Sequence, residues 1–254
     1  TATTSAATTT GVWDSNYVSV LHLKEDPSIT APQMQDSTSG NHDATSNGSM
    51  VAGDQVAGKI GGSLGFDGTN DYLSIPDHAD YDGATTTISF WLKTKSTWDS
   101  TSGRKDLVSK DCDGFWIIMN NGQGRLQNYP GCGGAGLTTT DTWTADTWYH
   151  LTWTQNGATS VVYVNGGQQH SVSGNTPGGG ANEVKIGGVP GNPFANAYFD
   201  EVRFSKAVRT AGWITTEYNN QSSPSTFMTF GSEEPSAAAP QRGPPFRLRM
   251  LLHV

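Results

Sequence analysis

Along most of the chain, apolar and polar residues alternate with a period of two. Tyr17 to Leu23, Asp71 to Ile75 and Thr87 to Lys93 each keep this rhythm. It places apolar side chains on one face of a half-buried strand. Trp148 to Thr154 and Ser160 to Val164 form a second group of runs, folded about Gln155, Asn156 and Gly157. Val164 then meets Asn165 and Gly166, a type I′ hairpin signal, and Gln168 to Val172 returns. Val184 to Gly187 and Tyr198 to Phe204 follow, and Thr226 to Phe230 is expected to close the domain as a strand. One helix is expected, after Thr210 as N-cap and through Trp213 to Tyr218, one or two turns long. About a dozen short strands between Gly-rich turns predict an all-β fold, a two-sheet antiparallel sandwich or jelly roll.

The ends read differently. Residues 1–11 are Thr-rich and carry no charge, residues 12–232 hold the strand pattern, and residues 233–254 are a Pro/Ala linker with an apolar and basic tail. Only 34% of the 254 residues are hydrophobic and 15% are charged, while Gly numbers 31. That composition suits strands and turns rather than helices. Eight Trp residues and 10% aromatics supply a core. A net charge of −8 with scattered Lys and Arg argues against nucleic acid as a partner. No run approaches the roughly 20 apolar residues of a membrane helix, so insertion in a bilayer is not expected.

Two cysteines, Cys112 and Cys132, flank a strand–turn–strand pattern whose midpoint falls at Gly122. A hairpin centred there sets them opposite one another. A disulfide is therefore expected ahead of two buried thiols, and with it an oxidising compartment. Asn47 and Asn220 each begin a glycosylation sequon.

Catalytic patterns are lacking. Gly61 to Gly65 has the spacing of a nucleophile elbow around Ser63, but the serine enters a strand and no helix follows. Gly131 to Gly136 has dinucleotide-fingerprint spacing without a βαβ setting. Retaining glycoside hydrolysis needs two carboxyls about 5 Å apart on one face. No Glu sits in such an array, and Asp200 and Glu201, as strand neighbours, are expected on opposite faces. The chain is thus read as a binding protein and not an enzyme.

Asp67, Gly68, Thr69, Asn70 and Asp71 make an oxygen-rich turn that suits calcium, or else an Asx turn needing no cation. Asp111 and Asp113 offer a weaker second cation site. A glycan site needs flat aromatics with polar partners. Trp98, Tyr129, Trp143 and Phe194 stand in turn-like contexts and are its candidates, whereas Trp91, Trp116, Trp148 and Trp153 lie in strand patterns and are expected in or near the core.

Several segments together carry a resemblance: Val12 to Val18, Gly58 to Pro76, Thr87 to Lys93, Trp148 to Leu151, Tyr163 to Gly166, Asp200 to Phe204 and Trp213 to Pro224. In this order they resemble a bacterial LamG-type, concanavalin A-like jelly-roll domain of secreted surface proteins, over about residues 12–232. The resemblance implies two stacked antiparallel sheets, an extracellular or cell-surface setting and often a structural Ca2+, with Asp200 supplying a carboxylate. It also implies sugar binders, adhesive modules and spacers among its members, so the fold leaves the function open. Two functions follow. The first, ranked slightly higher, is self-assembly with neighbouring copies into a filament, by strand donation from the terminal segments around Thr1, Thr3, Thr8, Phe246, Leu248 and Met250. The second is calcium-dependent binding of a polysaccharide.

Overall fold

A computed structural model describes residues 12–110, 114–119, 124–129, 142–174 and 176–227. Fourteen strands run in chain order among them. They are β1 (Tyr17–Leu21), β2 (Thr45–Asn47), β3 (Gln55–Ala57), β4 (Gly62–Gly65), β5 (Tyr72–Ile75), β6 (Thr85–Thr94) and β7 (Lys105–Ser109). Then come β8 (Trp116–Met119), β9 (Leu126–Asn128), β10 (Trp148–Asn156), β11 (Thr159–Val164), β12 (Gly167–Ser173), β13 (Val184–Ile186) and β14 (Ala197–Ser205). Helices α1 (Ala211–Ser222) and α2 (Pro224–Phe227) follow.

The strands form two antiparallel sheets. The larger has eight strands in the order β12-β11-β10-β6-β14-β4-β3, with β1 also paired to β14; the smaller has six in the order β2-β5-β13-β7-β8-β9. Side-chain alternation explains the layering. On β6, Ile88, Phe90 and Leu92 enter the core between the sheets. Phe90 and Phe66 both pack on Phe199 of β14, at 5.7 and 5.1 Å between ring centroids. Phe115 bridges to Trp153 and Phe204. The alternate residues Ser89 and Trp91 face outward, where α1 lies over them: Ser89 and Trp91 bond Glu217 and Gln221 of that helix.

Local chemistry fixes the connections. Asn165 and Gly166 join β11 to β12 with φ of +52° and +76°, the left-handed pair a type I′ turn requires. Thr210 caps α1, its side chain accepting from the Trp213 amide at 3.3 Å. The helix runs 12 residues, longer than the expected one or two turns. The strand expected over Thr226 to Phe230 is corrected: Thr226 and Phe227 close the short helix α2, which begins at Pro224, a favourable first residue of a helix. Residues 228–230 lie outside the described residues.

Another expectation fails at β14. Glu201 has φ +52°, and the pairing with β6 shifts register between Asp200 and Arg203. This bulge inserts a residue and turns both Asp200 and Glu201 to the outward side of the sheet. Asp200 pairs with outward-facing Trp91, while Glu201 bonds His22 and Arg203.

Candidate functional site

The bulge and α1 together frame a cleft of about 470 Å³. One wall is the lead-in to β1, with Trp13, Asp14 and Tyr17; the other is α1, with Trp213, Glu217, Asn220 and Gln221; Arg203 of β14 forms the floor. The elements explain the placement. Trp213, Glu217 and Gln221 sit at i, i+4 and i+8 and share one helix face. Arg203 alternates with core residues Val202 and Phe204 and so points out toward that face.

The floor is an ion-pair network. Arg203 Nη1 meets Glu217 Oε1 at 2.6 Å and Nη2 meets Glu201 Oε2 at 2.5 Å. The second Glu201 oxygen holds His22 Nδ1 at 2.5 Å. Burial pushes the Glu201 carboxyl up, but the His22 bond and the Arg203 charge outweigh it and hold it below its ordinary value. The guanidinium also lies over the Trp13 ring, 5.0 Å from its centroid. At the cleft mouth, Arg209 is clamped by both Asp14 oxygens at 2.9 and 3.0 Å. Its guanidinium lies 4.5 Å from the Tyr17 ring and 4.4 Å from that of Trp213. Trp213 remains 45% exposed. The cleft thus offers indole surface beside fixed charges and the exposed Asn220 amide. These are the contacts that recognise the apolar faces and hydroxyl rims of a polar ring.

The aromatic candidates read from sequence fall elsewhere. Trp98 and Trp143 are corrected: they are 1% and 0% exposed, pair through reciprocal backbone bonds and belong to the core, so neither ring is available to a ligand. Tyr129 is half-buried, its hydroxyl on Gln127. Phe194 is half-buried against Tyr72, 6.1 Å between rings. Trp91, Trp116, Trp148 and Trp153 do lie in strands.

The proposed calcium residues do not converge. Asp67 Oδ1 accepts the Thr69 and Asn70 amides at 2.7 and 3.2 Å, an Asx turn. Asp71 accepts the Ser49 and Asp67 amides, and Asn70 Nδ2 reaches Ser49. Asp200 sits apart, fully buried, with Oδ2 on the Ile60 amide at 2.8 Å. Burial pushes its carboxyl up to about 7. Among the described residues these carboxylates form no shared cluster. Asp67, Asn70, Asp71 and Asp200 do not fit one oxygen cage for Ca2+. Ser63 is fully buried on β4, its hydroxyl toward the Val56 and Ala57 carbonyls.

Asn47 spends its amide on Thr45 and Ser74, while Asn220 is exposed on α1. The β8–β9 pairs Ile117–Asn128 and Met119–Leu126 form the expected hairpin, centred half a residue beyond Gly122. Cys112 and Cys132, Asp111 and Asp113, and the assembly candidates Thr1, Thr3, Thr8, Phe246, Leu248 and Met250 lie outside the described residues.

Fold and sequence place the chain in a known class. It belongs to the concanavalin A-like lectin/glucanases superfamily, whose laminin-G-type family model matches residues 67–215. No curated protein matches in sequence. Among solved structures, the binding domain of Paraclostridial Mosquitocidal Protein 1 aligns with TM-score 0.61 and 16% identity, over 81% of this chain and 52% of that one. Domain 4 of AbnA, a GH43 extracellular arabinanase from Geobacillus stearothermophilus, in complex with arabinotriose, aligns with TM-score 0.59 and 17% identity, over 79% and 97%. The binding domain of botulinum neurotoxin DC in complex with SialylT aligns with TM-score 0.57 and 13% identity, over 82% and 52%. The chain spans about half the length of the toxin domains it matches. At these identities the likeness is one of fold. Among the described residues, no helix is long and apolar enough to cross a membrane.

Proposed function

We propose that this chain is an extracellular, non-catalytic module that binds a glycan in the cleft between β1, β14 and α1. The observation that carries the reading is that Trp13 and exposed Trp213 line one cleft whose floor holds the fixed Arg203–Glu217 ion pair. A rigid aromatic surface beside oriented charges is what a saccharide needs, since its C–H face stacks and its hydroxyls take hydrogen bonds. The arabinotriose and SialylT complexes of two fold neighbours support a saccharide as the ligand class. The outward carboxylates do not argue for hydrolysis, because Asp200 and Glu201 are 0% and 3% exposed and cannot reach a glycosidic bond. Filament assembly, the alternative, draws on terminal segments outside the described residues, and no described contact favours it over glycan binding.

Affinity electrophoresis against a panel of plant and microbial polysaccharides tests the reading. At least one should retard the protein, with or without EDTA, and the Trp13→Ala, Trp213→Ala double variant should migrate freely. A double variant that is folded and retarded like the parent would refute this cleft as the site. Retardation by none of the polysaccharides would count against glycan binding itself.

A further inference from the structure

On the far side of the β1–β14 pair, away from the cleft, the loop before β2 meets the 3-10 turn Ala79–Tyr81. There His42, His78 and Asp80 each direct a ligand atom into one small space, all within 4.8 Å of one another. Asp80 Oδ2 lies 3.9 Å from His42 Nε2 and 3.5 Å from His78 Nδ1. Ligands about 2.0–2.1 Å from a tetrahedral Zn2+ stand roughly 3.4 Å apart. Those two spacings need closure of about half an ångström or less, and all three ligand atoms already lie within 4.8 Å of one another. We propose that His42, His78 and Asp80 form a divalent transition-metal site, suited to Zn2+, with its remaining coordination position open to solvent.

Two observations support it. His42 Nε2 is buried and has no hydrogen-bond partner, an arrangement that costs free energy unless something else occupies the lone pair or proton. Asp80 is already oriented, since its other oxygen, Oδ1, pairs with Lys206 at 3.2 Å, an outer contact of the kind that fixes a ligand carboxylate. Coordination by His78 Nδ1 exchanges one hydrogen bond, that from the Asp80 amide at 3.1 Å. The frame beneath is rigid. Tyr81 is buried with its hydroxyl on Ser19 at 2.9 Å, and the His42 amide is held by Asp36 at 2.9 Å. A cavity of about 380 Å³ opens beside His42 and His78 and gives a metal an entry path. Two imidazoles and one carboxylate select a borderline cation over Ca2+ or Mg2+, which prefer all-oxygen shells.

Isothermal titration of the full chain with ZnCl2 at neutral pH tests the site, alongside the visible spectrum after adding CoCl2. The expected result is one Zn2+ per chain and a Co2+ spectrum typical of nitrogen and oxygen ligands. His78→Ala and His42→Ala should each weaken binding about tenfold or more. His78 is half-exposed, and its removal costs one hydrogen bond from the Asp80 amide but no core packing, so that variant serves even where His42→Ala misfolds. Zinc should raise Tm in the parent and not in His78→Ala. Absence of binding, or binding that His78→Ala leaves unchanged, overturns the proposal. Neither outcome bears on the glycan cleft, which is built from other residues.

Discussion

Trp91 of β6 donates its indole N–H to the side-chain carbonyl of Gln221 on α1 at 2.5 Å, with both side chains buried. Trp91 lies outside the core between the sheets and is roofed by the helix, with the Tyr218 ring 5.8 Å away and Lys59 on another side at 5.0 Å. The bond therefore fastens the helix that walls the cleft. Gln221→Ala strands a buried donor, which costs about 1–3 kcal/mol. The urea midpoint should fall accordingly with an unchanged m-value, and an unchanged midpoint would show that α1 is held by other contacts.

Gly187 follows β13 with φ +86°, and a Cβ there would lie 2.4 Å from a ring carbon of Phe66. Phe66 is fully buried against Phe199 and has no room to yield. Left-handed strain and overpacking each cost about 1–3 kcal/mol. Gly187→Ala should then lower stability by about 3 kcal/mol or more, read as a drop in Tm of many degrees. A change of only a degree or two would mean the turn has more freedom than this packing allows.

The strands were legible because burial on one face imposes a period of two, and the Asn165–Gly166 turn because few residues tolerate two successive positive φ values. The cleft was not. Trp13 and Trp213 stand 200 positions apart in sequence, and only the β1–β14 pairing and the packing of α1 bring them together. Trp98 and Trp143 misled because polar neighbours imitate a surface turn, while their mutual backbone bonds draw both rings inward. The bulge at Glu201 left no mark either. A non-glycine in the left-handed region gives no compositional signal, and without it Asp200 and Glu201 alternate across the sheet. The opening Trp13 and the helix residues were read from sequence only as parts of a family pattern, not as a site.

His150, 1% exposed beside Trp91, is pushed down to about 3, chiefly by burial and further by the Arg203 charge. The unfolded chain takes up this proton near pH 6.5, the folded chain only near 3. Between those values the unfolded state binds more protons. Stability is therefore full above about pH 6.5 and is lost as pH falls toward 3, by up to about 1.4 kcal/mol per pH unit. His150→Phe keeps a ring against Trp91 and Tyr218 but removes the titration. Urea midpoints measured from pH 7.5 to 4 should fall less steeply in the variant, and parallel slopes would place the acid sensitivity in another group.

Trp213 separates a binding role from a structural one. Its indole is 45% exposed, and it meets the fold at the Arg209 guanidinium, which Asp14 and Tyr17 also hold, and in a side-chain hydrogen bond with Tyr17. Loss of the cation–π contact costs about 0.5–1 kcal/mol at such an exposed position, and loss of the Tyr17 hydrogen bond about 1 kcal/mol more. Trp213→Ala should therefore shift Tm by only a few degrees. A saccharide stacked on the indole loses its apolar platform altogether, and a loss of about 1.4 kcal/mol is a tenfold loss of affinity. Titration of whichever polysaccharide retards the parent should show that tenfold rise in Kd with Trp213→Ala. Arg209→Lys, which keeps the charge but not the flat stack, should move Tm about as much and Kd far less. Equal Kd values for parent and Trp213→Ala would assign the indole to covering Arg209 and move the glycan surface away from α1.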